Sequence, residues 1–232
     1  MKHNFLLSIK ESCIKYKHVL YILYLPLYMH CFIWLEERSD VHFTDIHCAL
    51  DDRIPFCEIF IIPYLSWFLY VVLVLFFLFF QTEHLEDFYA CIHTLIFGMS
   101  TCLLIYYLFP NMQNMRPVLE RDNIFTDIIG FIYKSDTDTN VLPSIHVYNA
   151  VAIHIGFSTS HYFRERRGWK TASLILCILI CLSTMFLKQH SFLDVITGII
   201  LFGIYGGLFY IIVPKLRKKG KEPGTGSKSD TL

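Results

Sequence analysis

Six apolar runs follow one another along the 232 residues, at 19–35, 59–80, 88–109, 141–163, 171–187 and 191–213. A helix needs about 20 residues to cross about 30 Å of hydrocarbon, so the pattern predicts six transmembrane helices. Ile59 to Phe80 carries no charge and is long enough alone. The first and fifth runs are short. The fourth is the least apolar, interrupted by His146, Asn149, His154 and His161. His93 and His154 read as buried polar residues that bond to neighbouring helices. Before the first run, residues 2–18 are basic, with Phe5, Ile9, Cys13 and Tyr16 at helical spacing among lysines. This predicts a helix lying in the membrane interface. No small-residue cleavage site follows, so a cleaved signal peptide is not expected. After Lys215 the chain is basic and then rich in Gly, Pro and Ser, which predicts a disordered cytoplasmic tail that touches anionic lipid. The expected organisation is an interfacial segment at 1–18, a six-helix membrane domain at 19–214 and a tail at 215–232.

Composition agrees with this class. Hydrophobic residues make up 54% of the chain and the mean hydropathy is +0.46, which excludes an ordinary soluble domain. The formal net charge is zero, but its distribution is uneven. With the N-terminus inside, Arg38, Arg53, Arg116, Arg121, Lys134 and Lys188 fall on the outer side, and the other 14 of the 20 lysines and arginines fall inside. The positive-inside rule then places both termini in the cytoplasm. The fold class expected is an all-α integral membrane bundle of six helices in the plasma or cytoplasmic membrane. Its partners are the bilayer and a lipid, with no nucleic acid. Eight cysteines show no Cys-x-x-Cys or zinc spacing. Cys48 and Cys57 share one loop and can pair if that loop is extracytoplasmic. Gly203-x-x-x-Gly207 permits close helix packing, inside the chain or between copies, which leaves a homo-oligomer open.

Three polar pieces fall on the outer side. Arg116-Pro117 follows the third run. Pro143-Ser144-Ile145-His146 enters the fourth. Ser183-Thr184 through Lys188 to His190 and Asp194 bridges the fifth and sixth. His190 and Asp194 are four residues apart, which on a helix puts them on one face. The carboxylate can then hold the imidazole in one tautomer. A carboxylate inside a membrane segment marks a functional site by default. Ser144 suits a helix N-cap, and a helix N-terminus offers free N–H groups to an anion. Arg116 can grip a phosphate bidentately. His190 can attack phosphorus, and His146 can protonate the leaving oxygen.

These pieces resemble the type 2 phosphatidic acid phosphatase superfamily, six-helix membrane enzymes that remove phosphate from lipid phosphates. The family's motifs are Lys, six residues, Arg-Pro; then Pro-Ser-Gly-His; then Ser-Arg, five residues, His, three residues, Asp. The resemblance covers residues 50–213 and includes the acidic Asp51-Asp52-Arg53-Ile54-Pro55-Phe56 entry to the second run. It implies an active site at the extracytoplasmic face. His190 would form a phosphohistidine, Asp194 would orient it, and His146 would be the general acid. Arg116, Ser144, Ile145, Ser183 and Thr184 would line the phosphate. It implies no metal and no cofactor. The substrates it suggests are phosphatidic acid, phosphatidylglycerol phosphate or a polyprenyl diphosphate. The chain departs from the motifs at Phe109, Ile145 and Thr184, where the family has Lys, Gly and Arg. Two expected cations are thus absent, and Lys188 is the expected substitute, with Arg121 and Lys134 also near in sequence. A weakened third motif also occurs in inositol phosphorylceramide and sphingomyelin synthases. A lipid headgroup transferase is therefore the second reading, and a non-catalytic lipid-phosphate-binding protein the third.

Overall fold

The computed structural model describes residues 17–219. The interfacial segment expected at 1–18 lies outside the described residues except for its last two positions, and the tail is described only as far as residue 219. The chain is mostly helical. Helix α1 is Tyr24–Glu36, entered through a 3-10 stretch Lys17–Leu23. Helix α2 is Ile61–Phe80, entered through the 3-10 turn Glu58–Phe60. There follow α3 (Leu85–Leu108), α4 (Ile124–Ser135), α5 (Ile145–Thr159), α6 (Arg167–Phe186) and α7 (Phe192–Gly206). Helix α7 continues through a π-helical stretch, Gly207–Ile212, into α8 (Val213–Lys219).

Among the described residues, four helical segments are long and apolar enough to cross a membrane: Glu58–Phe80, Thr82–Leu108, Arg167–Phe186 and Phe192–Arg217. They correspond to the second, third, fifth and sixth apolar runs. The first run is a shorter apolar helix, Leu20–Glu36. The fourth run forms the 15-residue α5, because 141–144 form a bent entry ending in the Ser144 cap and 160–163 form a turn. Helix α5 sits inside the bundle, packed against α2, α3, α6 and α7. Val147, Tyr148, Ala150, Ala152 and Ile153 are all fully buried. A helix surrounded by protein on every side can carry polar groups, provided each finds a partner. His154 does so on α6, with its Nδ1 2.8 Å from Ser173 Oγ. His93 does the same towards the N-terminal helix, 2.6 Å from Tyr21 Oη.

Helix α4 has no counterpart among the apolar runs, since the sequence pattern reads 110–140 as a loop. It is a 12-residue amphipathic helix started by a capping box between Asn123 and Thr126. Its Ile129 packs with Ile61, Tyr64 and Leu187, so it covers one end of the bundle. A short parallel pairing, β1 (Thr44–Asp45) with β2 (Asn111–Met112), ties the loop before α2 to the loop after α3.

Two points that the sequence leaves open are narrowed here. Cys48 and Cys57 are both free thiols. At Gly203 and Gly207 a Cβ would meet nothing within 4 Å, so neither glycine serves a close helix contact within the chain.

Candidate active site

The site is built on the turn between α6 and α7. The Thr184 carbonyl accepts from the N–H groups of both Gln189 (2.9 Å) and His190 (3.0 Å). Lys188 adopts the left-handed region, φ 54°, a common way to end a helix. Ser191 then caps α7, and Asp194 completes the capping box by accepting from the Ser191 N–H at 2.9 Å. The same oxygen, Asp194 Oδ2, lies 3.2 Å from His190 Nδ1. His190 therefore stands just before the helix, not on its face. The cap geometry, more than helical periodicity, brings the pair together. Asp194 is fully buried.

A second carboxylate pins this turn from outside. Asp51 accepts from Ser191 Oγ (2.6 Å), Phe192 N (2.8 Å) and Cys48 N (2.8 Å). Burial pushes its pKa up, but these hydrogen bonds outweigh burial and hold it below the usual carboxylate range. A depressed folded-state pKa stabilises the fold fully above the unfolded value of about 3.9 and loses that stabilisation as pH falls through the lower folded value. Asp51→Ala leaves buried donors without acceptors, at about 1–3 kcal/mol each. We expect a lower thermal unfolding midpoint in detergent, and expect the gap from wild type to narrow below pH 4, because a protonated carboxyl still accepts hydrogen bonds but no longer carries the charge they favour. A gap that persists unchanged at low pH would contradict this role.

Helix α5 delivers the second histidine. Asn111 Oδ1 accepts from Val141 N and Leu142 N, both at 2.8 Å, and Tyr106 Oη donates to the Pro143 carbonyl at 2.6 Å. The Ser144 N–H then donates to the Asp194 carbonyl at 3.1 Å, joining the two motifs directly. Ser144 caps α5 through its side chain, which accepts from Val147 N. The first N–H groups of α5, at Ile145 and His146, have no intrahelical acceptor and are free to meet an anion. Close approach of α5 and α7 depends on Gly198, where a Cβ would lie 2.9 Å from the Ser144 carbonyl oxygen.

His146 Nδ1 lies 3.2 Å from His190 Nε2. Its other nitrogen, Nε2, is 3.1 Å from Tyr64 Oη, and that hydroxyl donates to Asp136 Oδ2 at 2.8 Å. Trp67 packs on the same imidazole, with ring centroids 4.5 Å apart. A chain of hydrogen bonds thus runs from Asp136 through Tyr64, His146 and His190 to Asp194. Its polarity follows from counting hydrogens. Tyr64 has one, directed to Asp136, so His146 Nε2 must be protonated and donate to Tyr64. His190 Nδ1 likewise donates to Asp194, which has only acceptors when ionised. The two remaining nitrogens, His146 Nδ1 and His190 Nε2, face each other and share one proton. One of them offers a lone pair and the other an acid.

The expected phosphate ligands are placed differently. The Arg116 fork is occupied: Nη1 donates to the Tyr133 carbonyl (2.9 Å), and Nη2 to the carbonyls of Asp136 and Thr137 (both 2.8 Å) and to Gln189 Oε1 (2.5 Å). Its guanidinium also lies 4.7 Å from the Tyr133 ring centroid. Arg116 therefore clamps the end of α4 beside the histidines, while its buried Nε has no partner among the described residues. Burial pushes the Tyr133 hydroxyl up to about 12, so it stays neutral under that cation. Lys188 Nζ donates to the carbonyls of Asp51 (2.7 Å) and Ile54, so it holds the entry loop of α2. The hydroxyls of Ser183 and Thr184 turn back to their own helix, onto the carbonyls of Ile180 and Cys181. Arg121 pairs with Glu58 at the surface, 2.6 Å away.

The sequence pattern does not single out Tyr64, Trp67, Asp136 or Gln189. Gln189 is the most informative of them. It is buried, its oxygen is held by Arg116, and its Nε2 has no hydrogen-bond partner among the described residues. It is a donor next to the nucleophile candidate, and an uncharged one. Its place directly before His190 was its only signal.

One group of described residues could hold a metal ion. His84, Glu86 and His161 bring ligand atoms within 4.8 Å of one another. Glu86 is in the first turn of α3, and His84 and His161 lie just beyond the C-terminal ends of α2 and α5, away from His146 and His190.

A family model described as the PAP2 superfamily matches residues 95–218, more than half of the chain. No curated protein and no solved structure matches it. The matched span holds Arg116, Ser144, His146, His190 and Asp194, which the fold has brought to one end of one bundle. The chain belongs to the PAP2 superfamily, whose members are generally phosphatases.

Proposed function

We propose that the chain is an integral membrane lipid phosphate phosphatase with six spans, both termini cytoplasmic and its site at the extracytoplasmic face. The observation that carries the reading is the facing pair His190 Nε2 and His146 Nδ1 at 3.2 Å, each ring held from behind. His190 attacks phosphorus through Nε2 as the P–O bond to the lipid breaks. His146 Nδ1 gives its proton to the departing oxygen. Water then cleaves the phosphohistidine, returning a proton to His146. The α5 N–H groups, the Gln189 amide and the nearby Arg116 charge stabilise the oxygens. This chemistry calls for no metal. The lipid is phosphatidic acid, phosphatidylglycerol phosphate or a polyprenyl diphosphate. The 14-to-6 charge split supports the orientation, with α1 and α5 completing the six spans.

One observation favours the headgroup transferase as a second reading. Arg116 and Lys188, the cations of the first and third motifs, are both engaged with backbone carbonyls. A cradle of mostly neutral donors suits a singly charged phosphodiester better than a doubly charged monoester. The test is phosphate release from a lipid-phosphate panel by purified protein, with and without chelator. Release that survives chelation is the expected result. Transfer of a headgroup to a lipid hydroxyl, without free phosphate, establishes the second reading. No turnover of any kind contradicts both.

A further inference from the structure

The two histidines are supported alike. His190 has a carboxylate on its back nitrogen. His146 has one too, relayed through a phenol. We propose that Tyr64 and Asp136 form a second orienting dyad, which holds one proton at His146 Nε2 and stabilises the imidazolium, so that Nδ1 is the nitrogen that gives up the second proton. This rests on the phosphatase reading above and deepens it. Both are positioning residues, acting through His146.

The geometry leaves little freedom. Tyr64 and Trp67 reach His146 from α2, His190 from the α6–α7 turn, and Asp136 from the end of α4 through Tyr64. Arg116, the next charge, donates to the Asp136 carbonyl, fixing the residue that carries the carboxylate. From α7, Asp194 is screened by His190. From α3, the Tyr106 hydroxyl is taken by the Pro143 carbonyl. The charged residues of α6, Arg167 and Lys170, lie at the opposite end of that helix. Asp136 is therefore the anion that faces the His146 back nitrogen.

The dyad matters when the leaving oxygen is a poor one. In the first step the His190 Nε2 lone pair forms the N–P bond and the P–O bond breaks, leaving its electron pair on oxygen. An alkoxide needs the His146 proton at that moment. A nitrophenolate leaves without it. General acids of this kind contribute about 10²–10⁴-fold; a residue that only positions the acid carries part of that.

The experiment compares phosphatidic acid with p-nitrophenyl phosphate for wild type, Tyr64→Phe and Asp136→Asn. Both variants should lose about tenfold or more of kcat on phosphatidic acid. They should stay within about threefold of wild type on p-nitrophenyl phosphate, below 1 kcal/mol. The basic limb of the phosphatidic acid pH profile should move to lower pH, because the imidazolium has lost its anion. Equal losses on both substrates, or an unmoved basic limb, overturn the dyad while leaving the phosphatase reading intact. Should Asp136→Asn misfold, Tyr64→Phe keeps the ring packing and decides alone. A wild type inert on both substrates overturns the phosphatase reading and the dyad together.

Discussion

His190→Ala should abolish turnover, by about 10⁴-fold or more, as when a nucleophile is removed from a unit that acts together. The fold should survive it. His190 contributes a ring at 3.2 Å from Asp194 and another contact to His146, but the turn is held by its backbone bonds to Thr184, by the Ser191 cap and by Asp51. Asp194→Asn should cost about 10²–10⁴-fold, because the amide cannot accept equally from the imidazole and the Ser191 N–H. The measurement is kcat/KM on one lipid phosphate, with unfolding midpoints as a control. Residual activity above a hundredth of wild type in His190→Ala would remove it as nucleophile.

Gly198→Ala should have the next largest effect, although it touches no reacting group. The added Cβ would stand 2.9 Å from the Ser144 carbonyl oxygen, a backbone atom that cannot rotate away. Either α5 or α7 must shift, and each carries one of the two histidine motifs. Displacements approaching 1 Å cost about 10²-fold in positioned chemistry. Gly203→Ala is the matched control, because a Cβ there meets nothing within 4 Å. The expected result is a loss of about 10²-fold for the first and none for the second. Equal effects from both would point to helix propensity and not to the Ser144 contact.

How much of this was legible in the sequence depends on how local each relation is. His190 and Asp194 are four residues apart, and Ser144 precedes its own helix, so short-range rules reach them. Ser191-x-x-Asp194 is a capping-box spacing, which explains the pair better than a shared helix face does. Tyr64 was out of reach: it sits within an uninterrupted apolar run, and its partners Asp136 and His146 are 72 and 82 positions away. Helix α4 is too short and too amphipathic to register among transmembrane-length runs. Arg116 and Lys188 make contacts that the sequence does not show, for one shared reason. A long basic side chain in a site motif suggests phosphate, but its target depends on which carbonyls the tertiary fold leaves open. Here they are those of Tyr133, Asp136 and Thr137 for one, and of Asp51 and Ile54 for the other.

The central claim is that phosphorus passes through His190 Nε2. The most direct measurement is rapid quenching of purified protein with a phosphorus-32-labelled lipid phosphate, followed by peptide mapping. The account predicts an acid-labile, base-stable phosphoryl group on His190, absent in His190→Ala and formed before free phosphate appears. Turnover with no such label, or label retained in His190→Ala, would contradict it.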